Sequence, residues 1–291
     1  MKVFLISFLL LPFFVRGAES PLIIDHRHTD ITKLPAEQIL QAKAVLKIGY
    51  GHTSHGSQIS SGMKGLVRFA DQGGLGLQLP KGIFSFTPDG AKGSLFLQEG
   101  GSNRGTTLRK DCGYWPLWED ETRKYLQDPA NKEINVVMWS WCGQMPGKFR
   151  SGKLHSEYLE PMSRLEKEFP HVVFVYMTGH ADYKKFEDHK QACETIRKFC
   201  KDNNKVLYDF ADIEQWNPDG TYFEFVNDDC SYWKNANGGP AAGNWALEWQ
   251  KSHEEGVDWY RCSSAHSQAV NANQKAYAAW ALWVALGERM K

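Results

Sequence analysis

Four stretches of the chain are apolar without alternating: AVLKIGY at 44–50, INVVMWSW at 134–141, HVVFVYM at 171–177 and KVLYDFA at 205–211. A strand with one wet face alternates apolar and polar residues. A continuous apolar, β-branched or aromatic run belongs to a strand covered on both faces, as in a parallel sheet. Helical patterns separate these runs. SSGMKGLVRFAD follows the first strand, and WPLWEDETRKYLQ (115–127) precedes the second. SEYLEPMSRLEKEF (156–169) precedes the third, with Pro161 set to kink or restart it. Residues 186–203 precede the fourth and carry Ala192, Ile196, Phe199 and Cys200 on one stripe. The last helix, 271–290, is apolar almost all round and is expected to be buried. Strands and helices in this alternation predict an α/β fold with a doubly wound, mostly parallel sheet. Residues 72–112 and 213–265 fit neither pattern and read as long loop insertions, which in a compact domain carry function or structure of their own.

The N-terminus stands apart from this alternation. One lysine, an apolar run from Val3 to Val15 and then small residues make a secretory leader, with cleavage expected after Gly17. Residues 18–291 are then read as one exported domain, with no membrane partner once the leader is removed. The 34 basic residues balance 34 acidic ones, which argues against a nucleic-acid partner. Export permits disulfides, and Cys230 and Cys262, both in the loop-rich last third, are the expected pair. Cys193 and Cys200 lie too far apart along one helix to bond. No CxxC spacing occurs, so no structural zinc is expected, and nothing calls for a cofactor.

In an open parallel sheet, active sites form beyond the carboxyl ends of the strands. Here those ends read GHTSHGSQ (51–58), CGQM (142–145), TGHAD (178–182) and DIEQWNPDG (212–220), with Asp209 just inside the last strand. All four deliver groups able to do chemistry. Ser54 sits where the first strand gives way to a helix, with Gly56 to ease the turn, which suits an exposed nucleophile. Ser57 fits helix capping better. Histidines able to serve as base are His52, His55, His180 and His266, the last lying just before the final helix.

A strand ending in a serine turn, several α/β units and a late histidine resemble the SGNH, or GDSL-type, hydrolases. The resemblance is to secreted branches in which the usual Gly-Asp-Ser gives way to a histidine-rich turn, here His52-Thr53-Ser54-His55-Gly56. It covers the order of elements over residues 44–290. It implies a flavodoxin-like three-layer α/β/α sandwich that cleaves esters, often acetyl groups on sugars. It makes Ser54 the nucleophile, His266 the base and the Ser54 N–H part of the oxyanion hole. Two positions depart from the family. Where Gly-x-Asn-Asp belongs, this chain has Trp141-Cys142-Gly143-Gln144, so Gln144 is expected as the amide donor. Where the acid belongs, three residues before the histidine, it has Ser263, so Asp258, or else Asp182 or Asp209, is expected to orient His266.

A carbohydrate is the expected substrate, because 11 Trp and 11 Tyr in an exported chain suit stacking on sugar rings. His52, His55, His180, Asp182, Asp209, Asp212 and Trp141 are expected to line its site. Three rival readings remain. Asp182, Asp209, Asp212 and Glu214 suit a two-carboxylate glycosidase or lyase. His52, His55, His180 and Asp182 are ligand types for a divalent ion, ranked below both hydrolase readings. A carbohydrate-binding protein on an inactive hydrolase scaffold is the non-enzymatic alternative.

Overall fold

Seven parallel strands form the central sheet of the computed structural model, which describes residues 20–100 and 108–290; the expected leader lies outside them. In chain order they are β1 (Leu22–Ile24), β2 (Lys47–Gly51), β3 (Phe86–Thr87), β4 (Leu95–Glu99), β5 (Val136–Trp139), β6 (Val173–Met177) and β7 (Val206–Tyr208). Their spatial order is β1-β7-β6-β5-β2-β4-β3. The five central strands therefore run β4-β2-β5-β6-β7, the 2-1-3-4-5 order of flavodoxin-like folds. The order reverses between β2 and β5, so a crevice opens there beyond their carboxyl ends. All four residues of β5 are buried, as expected of a strand covered on both faces.

Helices cover the sheet on both sides, giving a three-layer α/β/α sandwich. One set is α1 (Ala36–Val45), α2 (Ser57–Asp71) and α9 (Ala269–Arg289), in which α9 packs on both others. The other set is α3 (Leu117–Gln127), α4 (Met145–Arg150), α5 (Glu160–Glu168) and α6 (Phe186–Asp202), with α3 against α5 and α4 against α6. Pro161 does not restart the helix: a π turn at His155–Leu159 runs straight into α5, so the chain is already helical where the proline enters. Helix α9 is buried along nearly its whole length because it crosses both α1 and α2. A Cβ on Gly62 would overlap the Ala272 carbonyl, so α2 needs glycine there to approach α9.

Several boundaries differ from the sequence reading. Ala44 and Val45 close α1, and β2 begins only at Lys47. Phe210 and Ala211 open a short helix, α7 (Phe210–Glu214). The stretch 72–112 is not all loop, since it supplies β3 and β4. The stretch 213–265 folds as an antiparallel sheet, β8 (Phe225–Val226), β9 (Ser231–Trp233) and β10 (Gly243–Asn244), followed by α8 (Trp245–Ser252). Val226, Cys230, Trp245, Trp249 and Trp259 give this unit its own apolar cluster. All six cysteines are free, which overturns the expected Cys230–Cys262 bond. Cys230 Sγ contacts the Asn271 amide and the Ser267 hydroxyl, and Cys262 Sγ contacts the Asn273 amide.

Replacing Gly62 by valine should destabilise the chain by about 1–3 kcal/mol by forcing α2 off α9. Urea unfolding followed by circular dichroism reads this directly, and a midpoint equal to that of the parent would contradict the packing argument.

Candidate active site

Ser54 lies in the turn between β2 and α2, beside the point where strand order reverses. The Ser57 hydroxyl and N–H both bond the Ser54 carbonyl, which closes the turn; Ser57 does not cap the helix, because it is the first residue of α2 and Gly56 holds the cap position. The Ser54 N–H makes no hydrogen bond among the described residues. Its Oγ lies 3.0 Å from His266 Nε2, across 212 positions of sequence. His266 is exposed and adopts a left-handed backbone (φ 64°), which a non-glycine residue keeps only where its surroundings hold it. Two bonds do so. The Ser267 N–H bonds the Ser264 carbonyl, and Gln58 Nε2 donates to the Ala265 carbonyl at 2.5 Å.

Gln58 is itself held by the most deeply buried charges of the molecule. Its Oε1 accepts from Lys275 Nζ, which also pairs with Glu214 Oε1 at 2.6 Å. Neither Lys275 nor Glu214 has any exposed side-chain surface. The other Glu214 oxygen accepts from the Ala181 N–H at 2.5 Å. Burial pushes the Lys275 ammonium below its ordinary pKa, and the Glu214 carboxylate opposes that push. Two loops and a helix are thus tied to one ion pair: the His266 loop through Gln58, the loop after β6 through Ala181, and α7 through Glu214 itself.

Three imidazoles stack beside Ser54. His55 lies 3.8 Å from His180 at 7° and 4.6 Å from His266 at 20°. His55 Nε2 lies 3.0 Å from Asp228 Oδ2, and its Nδ1 lies 3.2 Å from Cys142 Sγ. Burial alone would lower the His55 pKa, but the bonds to Asp228 and Cys142 outweigh it and hold it at about 9. Burial and the neighbouring His55 charge push His180 down. His55, His180 and Asp228 together offer three ligand-type atoms within 4.8 Å of one another. The two rings are nearly parallel, however, so their in-plane lone pairs run side by side instead of converging on one point. Both His55 nitrogens are also already engaged.

Comparison with protein-family models, with curated proteins and with solved structures finds no match for this chain.

The remaining expected site residues divide sharply. Asp258 does not orient His266: its carboxylate accepts from the Glu254 N–H, and it lines a cleft of about 370 Å³ whose walls include neither Ser54 nor His266. No carboxylate hydrogen-bonds to His266 among the described residues. Gln144 is not a free oxyanion donor, since its Oε1 accepts the Cys142 N–H and its amide serves the buried Asp111 carboxylate. That carboxylate also takes the Thr53 hydroxyl at 2.9 Å, which braces the nucleophile turn. His52 is buried against Tyr50, with Nδ1 at the Thr53 carbonyl and Nε2 3.5 Å from Glu99 Oε1, so it supports the turn from beneath. Trp141 is core: it is buried against Tyr158, and its indole N–H bonds the Met177 carbonyl.

The carboxylate cluster is likewise structural. Asp209 caps α7, takes the Thr178 hydroxyl and holds Arg197 through two bonds. Asp212 pairs with His26 at 2.5 Å, and Asp182 caps a turn and pairs with Lys185. With each carboxylate committed to a different partner, the facing acid and base of a glycosidase are not assembled. Asp228, Asp111 and Gln58 were the residues that the sequence reading passed over. A signal for Gln58 existed, because it lies on the first turn of the helix that follows the serine.

Lys275→Met should lower stability by about 3–5 kcal/mol, because it strands Glu214 in a dry interior. Thermal melts of the parent and the variant measure it. For the histidine stack, the sign follows from the His55 pKa of about 9 against an ordinary 6.5. The pairing contributes fully below 6.5 and fades as the pH rises through 9. Asp228→Asn should therefore cost on the order of 2–3 kcal/mol near pH 6 and well under half of that near pH 10. Denaturant melts of both proteins across that range give the difference, and a pH-independent gap would contradict the assignment.

Proposed function

We propose that this chain is an exported serine hydrolase that cleaves esters of carbohydrates, with Ser54 as nucleophile and His266 as base. The single observation that carries the reading is the 3.0 Å separation of Ser54 Oγ and His266 Nε2 at the carboxyl edge of the sheet. In this mechanism Ser54 attacks the ester carbonyl while His266 Nε2 takes the hydroxyl proton. The unused Ser54 N–H donates to the developing oxyanion. His266 then returns the proton to the leaving alcohol, and water repeats the cycle on the acyl-enzyme. Catalysis proceeds through a Ser–His pair with no carboxylate behind the histidine. Loop hydrogen bonds, not an acid, fix the ring.

The carbohydrate half of the reading is supported by exposed aromatic surface close to the turn. Tyr114 is 47% exposed and Trp115 39%, three and four residues beyond Asp111, whose carboxylate braces Thr53. Flat rings in water on the segment whose Asp111 braces the Ser54 turn suit stacking on pyranose faces. Export is supported by the leader-like residues 1–17, and no helix among the described residues is long and apolar enough to cross a membrane.

In a Cys142→Ala background, where no thiol at the site can compete, Ser54→Ala should reduce turnover of a chromogenic acetyl ester by about 10³-fold or more while leaving the thermal melt unchanged. A fluorophosphonate should modify the parent at Ser54, read by mass analysis of the peptide. Undiminished turnover in the folded variant would overturn the assignment.

A further inference from the structure

Cys142 has no part in the mechanism above, yet it is the best-equipped nucleophile of the six thiols. It follows β5, directly across the strand reversal from Ser54, and its side chain is half-buried, so a small reagent can reach it. Its Sγ lies 3.2 Å from His55 Nδ1, and the opposite ring nitrogen lies 3.0 Å from Asp228 Oδ2. Thiol, imidazole and carboxylate thus stand in series, the constellation that activates a cysteine by a base oriented through a third group. With Asp228 accepting from Nε2, Nδ1 is the nitrogen left to exchange a proton with sulfur. The Gly143 N–H also points at the sulfur, and a donor so placed stabilises a thiolate.

The surrounding charges agree with the geometry. The groups facing this pair are Asp228, Glu214, His180 and His266. The bond from His55 lowers the Cys142 pKa. Burial pushes the other five thiols, Cys112, Cys193, Cys200, Cys230 and Cys262, the opposite way. A cysteine serving only to fill space would be expected to look like those five.

We propose that Cys142, His55 and Asp228 form a second nucleophilic centre, a thiolate that attacks the carbonyl carbon of activated acyl groups such as esters and thioesters. The centre is separate from Ser54 and does not depend on its activity. The sulfur lone pair forms the C–S bond. The C–O or C–S bond to the leaving group breaks, and the leaving anion takes the His55 Nδ1 proton. The result is an acyl thioester on Cys142 and a neutral His55. Water, giving its proton to that imidazole, then releases the acid and regenerates the thiolate–imidazolium pair.

Two measurements on the full chain test this. The first is iodoacetamide labelling resolved by peptide. Near pH 6, where an ordinary thiol is almost entirely protonated, Cys142 should react at least about tenfold faster than the same cysteine in the urea-unfolded chain. The other five should lag behind it, and Asp228→Asn should remove most of the advantage. The second uses p-nitrophenyl acetate on the Ser54→Ala variant, in which the serine cannot compete. An acetyl group should appear on Cys142 and be removed by hydroxylamine, as a thioester is. Labelling no faster than in the unfolded chain near pH 6 would overturn the proposal. So would an acetyl group found only at other residues. Because neither readout uses Ser54, failure here leaves the serine mechanism standing, and failure there leaves this one standing.

Discussion

The Lys275–Glu214 pair lies in a layer from which water is wholly excluded, and two bare charges there would be costly without their partners. Each partner lies on a different element. Lys275 rises from α9, Glu214 ends α7, and Gln58 belongs to the first turn of α2. The pair therefore tolerates little relative sliding of the three helices. Gln58 passes that constraint outward to the Ala265 carbonyl and so to His266. No carboxylate hydrogen-bonds to His266 among the described residues, and a charge pair in the core holds its loop instead, through an amide and a peptide carbonyl.

Charge in the histidine stack is distributed by the same logic of partners. His55 lies between two other imidazoles and alone touches two acidic groups, Asp228 and Cys142. The positive charge settles at the centre, and His180 is pushed toward neutrality by it. Ser54 after β2 and Cys142 after β5 both lie against this one stack. Strand order explains their proximity. Adjacent parallel strands, Gly51 opposite Trp139, release their loops at the same height.

Much of the scaffold was legible in the sequence because strands covered on both faces leave unbroken apolar runs, and β5 and β6 showed themselves in that way. The strands β3 and β4 were hidden among glycines, and β4 alternates like a strand with one open face. The residues alone left four histidines open as partner of Ser54, and only the resemblance in element order to the SGNH hydrolases singled out His266. The supports of that pair were not legible, since a buried Gln–Lys–Glu chain spans more than 200 positions and leaves no local pattern. Asp182 and Asp209 were misread because a carboxylate just after a strand serves a helix cap as readily as a reaction, and Asp212 because its partner, His26, lies 186 positions away. His52 and Trp141 were misread because sequence order does not say which face of the turn a side chain takes. Asp228 lies in a polar run, Asn227-Asp228-Asp229, where nothing distinguishes it from its neighbours.

Gly51 is the cross-strand neighbour of Trp139, and a Cβ there would run into the indole ring. That ring is pinned from the far side by the Thr122 hydroxyl of α3, 2.8 Å from its N–H. The last residue before the serine turn is thus shaped by a helix on the opposite face of the sheet. In related chains these positions should drift together: a smaller residue at 139 frees 51 to carry a side chain, whereas tryptophan at 139 forbids it. Paired change at 51 and 139 would be an inherited mark of this turn, visible even in descendants that had lost Ser54 and Cys142.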